Sequence, residues 1–425
     1  MSDDPLREKA QQADKNDVLA SFRREFLFPQ HLGKPALYFA GNSLGLQAVS
    51  TKAYIVQELE DWAQYGVEGH FSARRPWFSY HELLTEKMAK IVGALPEEVV
   101  MMNQLTSNLH FLMASFYRPQ GKKRKILIEF PAFPSDVYAV QSQVKFHGGV
   151  PDTDVIMVQS DRENFVIDEE KIIHSIEAHK EELALVLIGG VNYLSGQVFD
   201  IARITTAAHK AGAVCGWDLA HAAGNIELHL HEWEVDFGVW CSYKYLNSGP
   251  GSVGGAFVHQ KHLRNFDLPI LAGWWGTDPR ERFKMKPVFE PIPTAERWQV
   301  SNAPVLSMAA CLASLDIFDR ATMPALIQKS KQLTAFLEEV LLHINKIYHK
   351  PVFQIITPPN RGAQISVVCN VRESKRFFQA LIAQGIIADW REPNVIRLAP
   401  VPLYNSFEDV YQLYKRLQQI LPKFL

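Results

Sequence analysis

Cys215-Gly-Trp-Asp218-Leu-Ala-His221, followed by Trp240-Cys-Ser-Tyr243-Lys244-Tyr-Leu-Asn247, is the stretch whose pattern settles the architecture. In each half an apolar run of strand length stops abruptly at polar residues. Residues 214–217 end on Asp218, and residues 237–241 end on Ser242, Tyr243 and Lys244. Unbroken apolar runs of this length suit strands buried on both faces. A carboxylate and an amine at the tips of two such strands belong in a crevice at the carboxyl edge of the sheet, where open α/β sheets hold their ligands.

Outward from this stretch the same alternation repeats. Short buried strands are expected at residues 99–102, 126–129, 155–158 and 185–188. Helices are expected over 49–65, 80–92 and 168–179, with others ending at Phe116, at Gly148-Gly149 and, capped by Asp200, near Gly212. Strand following helix in this way implies a mostly parallel sheet with right-handed crossovers. Gly249-Pro-Gly-Ser-Val-Gly254 matches G-x-G-x-x-G, yet it runs into another strand instead of opening a helix, so it is read as a turn and not as a dinucleotide fingerprint. Past Leu271 the character changes, and a long helix over 305–320 leads into strands and helices mixed in a small α+β lobe. The expected organisation is an N-terminal arm over 1–48, a large α/β domain over 49–304, and a linking helix with the small C-terminal lobe over 305–425.

The 425 residues allow a large core, and a formal net charge of -2 asks for neither nucleic acid nor an anionic membrane. The basic run Gly121-Lys-Lys-Arg-Lys125 is read as a solvated loop. Cys215, Cys241, Cys311 and Cys369 lie far apart without a CxxC pair, which suits reduced, buried thiols. His229-Leu-His231, even beside His221, lacks a third ligand at a supporting spacing, so no metal is expected. The acidic start Met-Ser-Asp-Asp-Pro lacks the basic start and apolar run of a secretory signal, and no stretch is long enough to span a bilayer, so a cytoplasmic location is expected.

An Asp and a Lys on neighbouring strand ends suit pyridoxal 5'-phosphate. That cofactor needs an amine to hold its aldehyde and a carboxylate to keep its pyridine nitrogen protonated. For an isolated Asp and Lys, a buried ion pair beside an exposed lysine is the commoner explanation; here both follow apolar runs, which favours the cofactor. Thr106 and Ser107 fall at the first turn of a helix, where free amides and the dipole receive phosphate, although a hydroxyl there is more often only an N-cap. Ala132-Phe133-Pro-Ser135-Asp136 sets an aromatic and a carboxylate at a strand-to-helix junction. The loop Gly41-Asn-Ser-Leu-Gly45-Leu46 is a turn that would also let backbone amides approach a ligand. His70 sits in an aromatic, basic and aperiodic segment, where a solvated role is the ordinary one. Arg397, inside a short apolar strand, needs an anionic partner, either a ligand carboxylate taken by its fork or a structural Asp or Glu.

Phe133-Pro-Ser-Asp136, Asp218-Leu-Ala-His221-Ala, Trp240-Cys-Ser-Tyr-Lys244-Tyr-Leu-Asn, Gly273-Trp-Trp-Gly276, Ser301-Asn302-Ala-Pro and Ile396-Arg397-Leu-Ala-Pro-Val-Pro-Leu-Tyr-Asn-Ser-Phe together resemble kynureninase, a fold-type-I family of the class V aminotransferase superfamily. The resemblance covers nearly the whole chain. It implies hydrolysis of L-kynurenine, or its 3-hydroxy form, to anthranilate or 3-hydroxyanthranilate and L-alanine, in tryptophan breakdown or nicotinamide nucleotide synthesis. By it Lys244 carries the cofactor, Asp218 meets the pyridine nitrogen, Asp136 and His221 position the ring and Phe133 stacks on its face. Leu105, Thr106, Ser135 and Tyr243 belong to the cofactor site, with Tyr243 also a proton relay. A homodimer is implied, in which Trp274 and Asn302 reach the neighbouring subunit's site. Arg397 is matched to the substrate's α-carboxylate, and His70, Ser301 and Asn302 to the aryl ring. Gly189 stands where some relatives carry a serine. Within the same fold the alternatives are an aminotransferase or a cysteine desulfurase, the latter requiring a mobile nucleophilic cysteine.

Overall fold

The computed structural model describes residues 4–161 and 165–425, so the first three residues of the N-terminal arm lie outside it. Numbering only the strands of the two main sheets, the large one contains β1 (Val99–Met101), β2 (Lys125–Phe130), β3 (Val155–Gln159), β4 (Leu183–Gly189), β5 (Val214–Asp218), β6 (Phe237–Cys241) and β7 (Gly254–Val258). Their order across the sheet is β1-β7-β6-β5-β4-β2-β3. β7 is antiparallel to both its neighbours and the other contacts are parallel. The reversed strand follows from the short connection after β6. The turn at Gly249 and Gly251, both at positive φ, returns the chain directly, without the crossover helix that a parallel neighbour requires.

The longer helices are α1 (Pro5–Lys15), α2 (Thr51–Tyr65), α3 (Glu82–Val92), α4 (Leu105–Phe116), α5 (Pro134–Phe146), α6 (Glu169–Ala178), α7 (Ile201–Lys210), α8 (Val305–Ala321), α9 (Met323–Ile347), α10 (Ser374–Ala383) and α11 (Phe407–Ile420). β5 and β6 read as apolar runs because both sheet faces are covered. Cys215, Trp217 and Leu219 pack with α7 and α8 residues such as Ile204 and Cys311 on one face. Phe237 and Val239 pack with Leu109, Leu112 and Phe116 of α4 on the other. Asp200 caps α7 by accepting from the Arg203 amide at 2.9 Å, as its position before the helix implied.

The small sheet holds β8 (Phe353–Ile355), β9 (Ile365–Cys369), β10 (Asp389–Arg391) and β11 (Val395–Leu398), antiparallel throughout in the order β8-β9-β11-β10. The N-terminal arm is bound to this lobe. Leu37–Tyr38 pairs in parallel with Ile386–Ile387, and Leu6 and Ala10 of α1 join the lobe's core beside Val410 and Leu417 of α11. Residues 65–75, which carry no helical period, nevertheless form two short helical turns, Gly66–Glu68 and Gly69–Ser72. Buried acids of α2 organise the segment after them. Glu58 accepts from Arg75, Trp77 and Tyr80, and Asp61 from the Arg74 amide. Among the described residues no helix is long and apolar enough to cross a membrane.

Candidate active site

The strand ends place the site. Asp218 is the last residue of β5, level with Gly189 at the end of β4, and Lys244 follows β6 by three residues. One cleft is lined by Leu105, Thr106, Phe133, Ser135, Asp136, Asp218, His221, Tyr243 and Lys244. Nine residues expected to hold a cofactor thus meet in one place. The Lys244 ammonium lies 5.9 Å from the ring centres of Phe133 and of Tyr243.

α4 and α5 both begin at this cleft, and neither start is capped by a side chain. Their first amides, from Leu105 in α4 and, past Pro134, from Ser135 in α5, are therefore available to an anion. Thr106 Oγ1 and Ser135 Oγ, one from each helix, meet at 2.8 Å. Thr106 is therefore not serving as an N-cap, a position held by Gln104.

Asp136 lies against Asp218 and is buried. Burial, the neighbouring Asp218 and Glu129 together push its carboxyl well above the ordinary range, Lys244 opposing them. This favours the protonated carboxyl, which can donate to Asp218. His221 is fully buried, and burial with the cations Lys244, Arg397 and Arg391 depresses it well below the usual histidine range, leaving a neutral imidazole. Burial first, and then Cys241 and Asp218, raise the Tyr243 phenol, so it keeps its proton.

Two buried atoms in the cleft, Asp136 Oδ1 and His221 Nδ1, have no hydrogen-bond partner. Buried polar atoms are rarely left unpaired, so this pair is a sign of a ligand with polar atoms of its own. Acidic groups for a cationic ring nitrogen, two uncapped helix starts for a phosphate, an amine for an aldehyde and an aromatic face suit pyridoxal 5'-phosphate. The donor set fits the group.

Behind the cleft wall, Arg397 is almost completely buried, 1% exposed, and its partner is a structural Asp. Nε donates to Asp389 Oδ1 at 3.0 Å, Nη1 to the Tyr193 carbonyl at 2.7 Å and Nη2 to Ser43 Oγ at 3.0 Å. Ser43 also donates to Asp389. Burial disfavours the Asp389 carboxylate, but Arg397 and Ser43 outweigh it and hold the group below the usual range. Arg391 approaches the same carboxylate at 3.4 Å. The glycine-punctuated loop thus serves the site through Ser43 and through Gly45, whose amide donates to the Tyr243 carbonyl at 2.8 Å.

The remaining expected residues do not line this cleft within one chain. Ser301 and Asn302 border a separate hollow with Gln104, Ser107 and Gln299. Trp274 is 41% exposed and donates to the Arg282 carbonyl. His70 bonds through Nδ1 to the Val67 carbonyl at 3.0 Å and stands edge-on to Trp77. The fold adds Glu129, Gly189, Val191, Tyr193 and Ala220 to the cleft. Glu129, next to last in β2, interrupts an apolar run with a carboxylate as Asp218 does, so the signal that singles out one marks the other. His231, from the paired histidines, does meet an acid and a second imidazole. Its Nδ1 lies 2.9 Å from Glu98, and its ring stacks on His259 at 5.1 Å. Glu98 is otherwise committed to the amides of Leu95 and Gln260, so the group reads as a hydrogen-bonded network.

Comparison with known proteins places the whole chain. Residues 326–417 match the family described as the kynureninase C-terminal domain. The kynureninase of Flavobacterium johnsoniae is 53% identical over 97% of this chain and 97% of its own. That of Myxococcus xanthus is 50% identical over 96% of each, and that of Xanthomonas campestris pv. campestris 48% over 98% and 99%. Among solved structures, the Escherichia coli cysteine desulfurase CsdA superposes with TM-score 0.77 at 17% identity, covering 96% of this chain and 99% of its own. A C-DES mutant solved with glycine covalently linked to its PLP cofactor gives 0.76 at 18%, covering 91% and 97%. At such identities these two show the shared fold.

Proposed function

The chain belongs to the kynureninase family, PLP-dependent hydrolases of tryptophan catabolism, and from that premise we propose how its own side chains perform the hydrolysis of L-kynurenine to anthranilate and L-alanine. The cofactor, when bound, supplies an aldehyde that captures the substrate's amino group and a protonated ring that accepts electron pairs. Lys244 Nζ is the group that holds the aldehyde and the base that takes the Cα proton. Asp218, receiving a hydrogen bond from protonated Asp136, holds the proton on the ring nitrogen. Thr106 and Ser135 hydroxyls and the first amides of α4 and α5 bind the phosphate. Tyr243, whose phenol burial keeps protonated, passes protons beside Lys244.

Arg397 receives the α-carboxylate. The bonds to Asp389, Ser43 and Tyr193 do not exhaust its five donors. Two guanidiniums, Arg391 and Arg397, face one fixed carboxylate, Asp389, so the corner carries one positive charge in excess. A single incoming carboxylate balances it. The active unit is a homodimer, in which Trp274 and Asn302 reach the cofactor or substrate from the second copy and His70, Ser301 and Asn302 form the pocket for the aryl ring. Support for this lies in their position away from their own chain's Lys244 and in the exposed aromatic surface formed by Phe71, Trp274 and Phe283.

A desulfurase reading of the same fold lacks its nucleophile. All four cysteines are buried, and burial pushes the Cys215 thiol up to about 12.

The observation that carries the proposal is the meeting of Lys244, the Asp218–Asp136 pair and two uncapped helix starts in one cleft. Incubation with kynurenine should release fluorescent anthranilate, and Lys244→Ala should abolish both this release and the near-visible absorbance of bound cofactor. Undiminished turnover by that variant would remove Lys244 from the chemistry.

A further inference from the structure

The mechanism above uses two acids of the cleft, yet three line it. Glu129, at the end of β2, is 5% exposed. Its Oε1 accepts from the Gly189 amide at 3.1 Å, and Gly189 is the residue paired with Asp218 across β4 and β5. A Cβ on Gly189 would stand 3.0 Å from Glu129 Oε1, so glycine leaves the gap through which Glu129 faces Asp218. Asp136, from α5, lines the same cleft.

The groups facing Glu129 are few. Asp218 comes from β5, Asp136 from α5, Lys244 from the segment after β6 and the Gly189 amide from β4; neutral His221 and the phenols of Tyr193 and Tyr243 complete the titratable lining of the cleft. Three ionised carboxylates against one ammonium would be an uncompensated buried charge, which proteins relieve by holding protons. Asp136 holds one. Burial brings Glu129 up to about 7, so it changes charge within the working range.

We infer that Glu129 is a positioning residue for the cofactor: acting through Asp136 and Asp218, its charge sets how firmly the ring nitrogen keeps its proton. The inference rests on the placing of the ring nitrogen at Asp218 proposed above. Ionised Glu129 favours the cationic ring, whereas protonated or neutral it does not.

The test is the affinity of the apoenzyme for pyridoxal 5'-phosphate, followed by tryptophan fluorescence quenching across neutral pH. It is repeated with an analogue that has carbon in place of the ring nitrogen, which shares the phosphate and aldehyde but cannot carry the ring charge. The wild type should bind the cofactor more tightly as pH rises through about 7, by about tenfold, a shift equal to one pKa unit of coupling, and should show no such step with the analogue. Glu129→Gln, which keeps the shape and the acceptor for Gly189, should lose the step, and Glu129→Asp should keep it. A step that persists in Glu129→Gln, or is lost equally in Glu129→Asp, overturns the inference. Should Glu129→Gln not fold, an equal step with cofactor and analogue in the wild type overturns it as well. Failure of the wild-type apoenzyme to bind the cofactor at all would instead overturn the active-site assignment.

Discussion

Asp389 shows how a side chain remote from the chemistry can decide substrate affinity. It fixes the Arg397 guanidinium from one side while Ser43 and the Tyr193 carbonyl fix it from others. Asp389→Asn removes the charge but keeps the shape, leaving buried Arg397 and half-buried Arg391 without a carboxylate between them. The Michaelis constant for kynurenine is expected to rise by about tenfold, with kcat altered much less, because the carboxylate clamp is loosened and the proton-transfer groups are untouched. The pH dependence has a defined sign. A carboxylate held below its ordinary value in the folded state stabilises the fold above that value, and the contribution disappears as pH falls through the folded pKa. Urea unfolding of wild type and Asp389→Asn should therefore differ at neutral pH and converge in strong acid; a gap that widens with acid would contradict the ion-pair assignment. At this scale the sequence was informative unevenly. Asp218 and Lys244 are legible because polar residues interrupt apolar runs, and Glu129 carries the same mark. Asp389 carries none, since its meaning comes from a partner eight residues away across a strand pair.

At the scale of elements, the loop from Gly41 to Leu46 acts as a brace. Gly45 binds the Tyr243 carbonyl, and a Cβ there would lie 2.4 Å from the Lys244 carbonyl oxygen and 2.3 Å from Asn247 Oδ1. Backbone cannot yield as a flexible side chain does, so Gly45→Ala must displace the Lys244 segment or the loop. Overpacking of this kind costs about 1 to 3 kcal/mol. Thermal melting should register that loss, and kcat should fall with it because Lys244 moves; an unchanged kcat would mean that the brace is not tied to the catalytic segment. The element types were legible from period and length, since buried strands and amphipathic helices differ in both. Two features were not. The direction of β7 depends on the missing crossover after β6. The helical turns at 66–72 lack a period, and the adjoining segment is organised by the buried acids Glu58 and Asp61, which a pattern of apolar residues does not reveal.

The whole molecule sets the cleft at the carboxyl edge of a large, mostly parallel sheet, with the N-terminal arm pinned to the small lobe by strand pairing at Leu37 and Tyr38. That arrangement delivers Ser43 and Arg397 to the wall behind Lys244, but it leaves His70, Trp274, Ser301 and Asn302 on surfaces away from their own cleft. Their own chain's cleft gives these residues no role, so they were legible only through the family resemblance. If a second copy presents Asn302 to the Lys244 cleft, the two functions can be separated between chains. Lys244→Ala and Asn302→Ala enzymes, each with little activity alone, are dissociated, mixed and reassociated. Half of the resulting dimers carry one of each chain, and one of the two sites in such a dimer has both residues intact, so the mixture should recover about a quarter of wild-type activity. Sites built wholly within one chain would recover nothing, because every chain in the mixture then carries a defect in its own site.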